Sequence, residues 1–308
     1  MPIYLPIAEL PVNALLILGL GVAVGFISGM FGVGGGFLMT PLLILTGIPP
    51  AVAVASVPSH MAAASFSGAI SYWRKRLVDF GLGLVLLSGA LLGTAAGVWF
   101  FALLRRYGQL DLVVELSYLI MLGVVGSLML IESAAAMIRS YRGAPAYVRR
   151  PGTHAWFHYL PLKLRFRQSR IYVSALPVTV IGFVVGFLGA VMGVGGGFLL
   201  IPALIYFMRV PTTVSVATSL FLTLITMLAA TVLHSIENRT VDVMLAFILM
   251  TGGVLGAQFG VRAGQAVRAE HLRLLLAILV MGVGVRVGID LITTPADPYS
   301  VITTEAIE

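Results

Sequence analysis

Gly32-Val33-Gly34-Gly35-Gly36-Phe37-Leu38 returns far downstream as Gly193-Val194-Gly195-Gly196-Gly197-Phe198-Leu199, each time between apolar stretches. Glycine opens left-handed backbone conformations and is a poor residue for a helix interior, so a run this rich in glycine interrupts any helix that reaches it. At membrane depth an interrupted backbone survives only where protein or a polar cavity satisfies its freed N–H and C=O groups. The two breaks are therefore the expected centre of function, and the chain reads outward from them as two copies.

Hydrophobic residues make up 59% of the 308 and charged residues 10%, with a mean hydropathy of +1.04. Such a composition belongs to a polytopic membrane protein, with the lipid bilayer as its solvent. No cleavable signal pattern stands apart from the first apolar stretch, so the first helix is expected to act as its own targeting signal. The chain has no cysteine, which excludes disulfides, thiolate metal sites and cysteine nucleophiles. The net charge of +7 comes from basic residues in loops beside apolar spans. Positive-inside bias accounts for that placement without a nucleic-acid partner.

In order, Met1 to Leu10 is a short lead and the first span runs from Pro11 to Phe31. After the break, Phe37 to Gly47 is too short to cross a bilayer, which takes about 20 residues, and suits a half-helix. Ile48-Pro49-Pro50 ends it. Further spans follow at Ala51 to Trp73, closing on Arg74-Lys75-Arg76, at Phe80 to Leu104 and at Leu112 to Ile138. From Arg139 to Arg170 the chain is basic and acid-free, as expected of a cytoplasmic loop. Within it Leu162 to Arg167 alternates apolar and basic residues and fits a short strand, a segment on anionic headgroups or a solvated linker.

The second half repeats this order with Ile171 to Met192, Phe198 to Met208, Thr212 to His234, Val241 to Val261 and Leu272 to Ile292. Gly25, Phe26, Gly32 and Pro41 match Gly186, Phe187, Gly193 and Pro202, while Arg76, Val78, Asp79, Gly89, Gly93 and Gly97 match Arg239, Val241, Asp242, Gly252, Gly256 and Gly260. The expected fold is an all-α polytopic membrane protein made of two homologous repeats with discontinuous, glycine-broken helices. Residues 1–138 form the first repeat, 139–170 the basic loop, 171–294 the second repeat and 295–308 a tail. Five segments per copy is an odd number, which inverts one copy relative to the other. An even count, with each half-helix folding back as a re-entrant loop, is the alternative.

A cation carrier generally needs carboxylates near the bilayer centre, and here nearly all acids fall at segment ends or in the tails, with Glu115 and Glu132 about a turn inside. An anion site can instead be built from backbone N–H groups at helix N-termini. Gly34, Gly35, Gly36 and Phe37 offer one such terminus and Gly195, Gly196, Gly197 and Phe198 the other, and in inverted copies both can converge on one small anion. Thr40, Ser56, Ser59, Thr218, Ser219 and Thr223 are candidate hydroxyl donors, or else bond carbonyls of their own helices. His60 lies well inside its span, opposite Leu222 of the other copy. It either neutralises the anion or carries a coupled proton, or it is a packed core residue. His234, near a span end, is expected at the interface. Gly89, Gly93 and Gly97, with Gly252, Gly256 and Gly260, suit close helix crossing, and Asp79 and Asp242 suit helix caps. No metal-ligand cluster, catalytic set, cofactor motif or ATP-binding motif is present, which points away from an enzyme and towards gradient coupling.

The paired break followed by a short apolar piece carrying Pro41 or Pro202, together with the Arg-x-Val-Asp turns at Arg76 to Asp79 and Arg239 to Asp242, resembles the TauE/SafE family of sulfite and organosulfonate exporters. The resemblance covers nearly the whole chain. It implies a secondary transporter of the bacterial inner membrane that exports sulfite or an organosulfonate; uptake of the same anions or passage of another small anion is the alternative, ahead of a membrane-embedded enzyme or a non-transporting scaffold. One departure stands out: the first copy reads Ala55-Ser56-Val57-Pro58-Ser59-His60 where the second reads Ala217-Thr218-Ser219-Leu220, the kind of small hydroxyl pair more usual in the family.

Overall fold

The computed structural model describes residues 2–31, 35–141, 163–166, 168–169, 171–208, 210–266 and 269–292. Gly34, most of the basic loop and the tail at 295–308 lie outside the described residues.

Among the described residues ten α-helices follow the expected order: α1 (Ala14–Phe31), α2 (Gly36–Leu45), α3 (Pro50–Arg74), α4 (Phe80–Arg106), α5 (Leu110–Tyr141), α6 (Ala175–Met192), α7 (Gly196–Pro202), α8 (Thr212–Leu233), α9 (Val243–Ala266) and α10 (Ala269–Ile292). Among the described residues six helices are long and apolar enough to cross a membrane. The short α2 breaks off from α1 at the first glycine run, and α7 breaks off from α6 at the second. Pro202 ends regular α-helix in α7, which continues as a π-helical turn over Ala203–Phe207. A proline has no N–H for the i−4 carbonyl, so a widened turn there is physically reasonable.

The helical fold carries two small additions. Two antiparallel hairpins precede the first helix of each copy: β1 (Pro2–Leu5) pairs with β2 (Leu10–Asn13), and β3 (Lys163–Phe166) pairs with β4 (Ile171–Ser174). The first span therefore begins at Ala14 rather than Pro11, and its counterpart at Ala175 rather than Ile171. Of the three readings of Leu162 to Arg167, the strand is the one observed. Asn13 Oδ1 accepts from Leu15 N at 3.1 Å, and at the matching place Ser174 Oγ accepts from Leu176 N at 3.3 Å, so each hairpin hands over to its helix through a polar cap.

A two-stranded hairpin is marginal by itself. These two are tied to helices of the opposite copy. Ile7 N donates to Asp242 Oδ2 at 3.0 Å, and at the equivalent place Ser169 N and Oγ donate to Asp79 Oδ2 at 2.9 and 2.8 Å. The other carboxylate oxygens cap the first turns, Asp79 Oδ1 accepting from Leu82 N and Asp242 Oδ1 from Met244 N and Leu245 N. Each aspartate thus joins a helix start to a hairpin loop far away in sequence.

The helices exchange partners between copies: α1 packs along α9, α4 along α6, α5 along α10, and α3 crosses α8. Small residues make this possible. Gly21 faces Leu249 and Gly252, Gly25 faces Gly253 and Gly29 faces Ala257, so α1 and α9 run parallel with backbones touching. In α4, Gly89, Gly93 and Gly97 face Thr179, Phe183 and Phe187 of a parallel α6 in the same manner. In a membrane, where lipid is as apolar as leucine, such close backbone approach is what drives helix association. The glycines spaced by four are packing residues, as expected.

Candidate functional site

The site is the place where α2 and α7 begin. Gly35 caps the start of α2 with φ 62°, and its carbonyl accepts from Leu38 N and Met39 N at 3.2 and 3.3 Å. Gly193 ends α6 with φ 68°. Both angles lie in the left-handed region that glycine enters without cost to a side chain. Phe37 and Phe198, the matching residues just inside the two half-helices, stack on each other with ring centroids 4.1 Å apart and planes 14° apart. Two helix N-termini from different copies are therefore brought together, each with first-turn amides that have no intrahelical acceptor. Gly35, Gly36, Gly195, Gly196, Gly197, Phe37 and Phe198 are all buried here.

The six candidate hydroxyls divide into two groups. Ser59 Oγ donates to Ser56 O at 2.6 Å and Ser219 Oγ to Val216 O at 3.0 Å, each within its own helix. Ser56 Oγ accepts from Asp242 N at 3.0 Å, and its counterpart Thr218 Oγ1 accepts from Asp79 N at 3.3 Å. These four serve helix ends and turns. Thr40 and Thr223 are different: both are fully buried and neither hydroxyl is spent on a backbone group, Thr223 having no hydrogen-bond partner and Thr40 facing only the Tyr118 side chain. Both also point at the second break. A Cβ placed on Gly193 would lie 3.1 Å from Thr40 Oγ1, and one on Gly196 would lie 3.6 Å from Thr223 Oγ1.

Two residues that the sequence did not single out complete the centre. Met61, on α3, is the positional counterpart of Thr223. Its thioether accepts from Gly195 N at 3.1 Å, and its side chain fills the space against Gly36 and Gly195. Comparison of the two copies position by position is the signal that could have found it. Tyr118, a buried residue of α5, donates to the Met192 carbonyl at 2.5 Å, securing the end of α6 just before the break. Nothing local in the sequence marks Tyr118 for this task.

His60 is fully buried, and its Nδ1 lies 2.6 Å from Leu249 O, with the ring against Gly253. A carbonyl only accepts, so Nδ1 carries the proton and Nε2, which has no partner, holds the lone pair. The side chain is thus directed to the α3 and α9 contact rather than to Gly195. His234 departs from expectation. It is buried, not interfacial, with Nε2 donating to Ala190 O at 3.0 Å and Nδ1 accepting from Asn238 Nδ2 at 3.0 Å. Arg105 donates to Asn238 O at 2.7 Å and anchors that chain of contacts. His234 and Tyr118 together satisfy carbonyls at the C-terminus of α6, which the helix itself leaves unpaired.

The fold and this centre define an integral membrane protein with paired broken helices meeting in its interior. A family model described as "Sulfite exporter TauE/SafE" matches residues 17–287, and the chain belongs to that family. Among its relatives, "Probable membrane transporter protein YunE" of Bacillus subtilis (strain 168) is 24% identical, over 86% of this chain and 93% of that protein. A "Probable membrane transporter protein" of Xylella fastidiosa (strain 9a5c) is 29% identical, over 80% of this chain and 84% of that protein. "Probable membrane transporter protein MJ0441" of Methanocaldococcus jannaschii is 24% identical, over 90% of this chain and 98% of that protein. No solved structure matches it.

Proposed function

We propose that the protein is a secondary transporter that exports a small sulfur-containing anion, sulfite or an organosulfonate, across a bacterial inner membrane by alternating access. Membership of the family and the relatives' names support transport as the activity. The single observation that carries the anion is the meeting of two half-helix N-termini near the buried hydroxyls of Thr223, which has no partner, and Thr40, which faces only Tyr118. N–H dipoles at helix N-termini with O–H donors near them favour negative charge, and a tetrahedral or pyramidal oxyanion offers several acceptors to them.

Alternating access requires two halves that exchange roles, and the copies are proposed to be inverted. Asp242, at the start of α9, meets Ser56 early in α3 and the loop of the first hairpin, which precedes α1. Asp79, at the start of α4, meets Thr218 early in α8 and the loop of the second hairpin, which precedes α6. On that arrangement α1, α3 and α9 start on one side of the bilayer, and α6, α8 and α4 start on the other. Five helices per copy agree with it.

The test is flux of labelled sulfite and of an organosulfonate through proteoliposomes holding the purified protein, with and without imposed pH and voltage gradients. Saturable movement of either anion is expected. If neither anion moves under any gradient, the proposal is wrong.

A further inference from the structure

Among the matching positions at which the two copies differ, one pair lies against the second glycine run. Where the second copy has Thr223, the first has Met61. The Met61 side chain is buried and lies between the glycine runs: Gly195 N donates to its sulfur at 3.1 Å, a Cβ on Gly36 would collide with that sulfur, and one on Gly195 would collide with its methyl carbon. A thioether is a weak acceptor with no donor to offer. It therefore occupies the Gly195 amide while adding nothing that would attract an anion.

We propose that Met61 is a displaceable internal ligand of this site, holding the Gly195 amide in the closed protein and giving way to an oxyanion oxygen when substrate binds. The inference rests on reading the breaks as an anion site and adds to that reading its specificity and its closure. Hydrogen bonds to a charged acceptor are roughly twice as strong as neutral ones, so an oxyanion outcompetes the sulfur, whereas water or a neutral solute gains little by replacing it. An unbranched side chain with a polarizable end can swing between rotamers inside a packed core, which a branched leucine does less readily. Thr223 also lies against Gly195 and Gly196, its hydroxyl nearest Gly196, so a donor stands close to the freed amide. Such a plug keeps the glycine runs from remaining open as a continuous polar path when no substrate is bound.

The experiment uses the full chain in detergent with methyl-13C methionine, the Met61 resonance being assigned by its loss in Met61→Leu. Wild-type protein is titrated with sulfite, then with methanesulfonate, and Kd is compared with that of Met61→Ala. The Met61 methyl resonance is expected to shift saturably with the anion. Met61→Ala is expected to bind roughly three- to tenfold more tightly, the equivalent of removing one competing neutral hydrogen bond. Anion binding that leaves the Met61 resonance in place, or an alanine variant that binds no more tightly, overturns the inference while the anion site stands. If no anion binds to wild type or variant, the site reading fails and the inference with it. The wild-type titration decides the matter even if the alanine variant does not fold.

Discussion

Thr40 and Thr223 show how residues of one chemical kind are sorted by what surrounds them. Six hydroxyls flank the breaks, and four of them already serve a helix carbonyl or a turn amide. An unpaired hydroxyl in an apolar interior costs free energy, so Thr223 is there at a cost in stability that ligand binding can offset, while Thr40 is held only by Tyr118. Hydrogen bonds to charged groups are worth about 1.5–3 kcal/mol, so Thr40→Val and Thr223→Val should each raise the KM for sulfite flux about tenfold or more, with little effect on thermal stability. Ser59→Ala and Ser219→Ala, which remove only a bond within one helix, should leave KM unchanged. Equal losses in all four variants would sink the division. Alternation of apolar residues cannot reveal this difference, because it depends on which backbone groups the fold brings within reach.

Helix pairs such as α1 with α9 depend on a few positions where no side chain is tolerated. A Cβ on Gly25 would lie 2.7 Å from Gly253 Cα, and one on the matching Gly186 would lie 2.8 Å from Ala90 Cα. Gly25→Ala and Gly186→Ala should therefore lower stability by about 1–3 kcal/mol, the typical cost of overpacking, as read from the unfolding midpoint in detergent. Gly19 and Gly123 are in helices too, but nothing lies within 4 Å of a Cβ built on either. Alanine there should be neutral or stabilising by about 0.5–1 kcal/mol, since glycine is the poorer helix former. The same contrast explains a partial success of sequence reading. Spacing by four identified Gly89, Gly93 and Gly97 as packing residues but named no partner helix. The hairpins were missed at Met1 to Leu10 and found only as one of three options at Leu162 to Arg167, because four-residue strands carry too short a pattern and gain their support from Asp242 and Asp79.

The whole molecule is two copies whose helices pair across the repeat boundary more extensively than within it. The proposed inversion makes a direct prediction about sidedness. Pro6 and Gln168 lie in the loops of the two matching hairpins and are both exposed. The chain has no native cysteine to interfere. Pro6→Cys and Gln168→Cys in intact cells should react with a membrane-impermeant maleimide from opposite sides, Pro6→Cys from outside and Gln168→Cys only after lysis. Labelling of both from the same side would make the copies parallel and remove the basis for alternating access by exchange of halves.

The sequence by itself determined the membrane class, the repeat, the two breaks and the capping role of Asp79 and Asp242. Each of these follows from composition, from local backbone chemistry or from comparison of the chain with itself. Long-range packing set the rest: which helices are partners, which hydroxyls are left free of backbone bonds, that His234 is buried with both ring nitrogens engaged, and that Met61 and Tyr118 belong to the centre. Those facts depend on contacts between residues far apart in sequence, formed where α3, α5 and α8 cross the glycine runs, and no local pattern of residues encodes such a crossing.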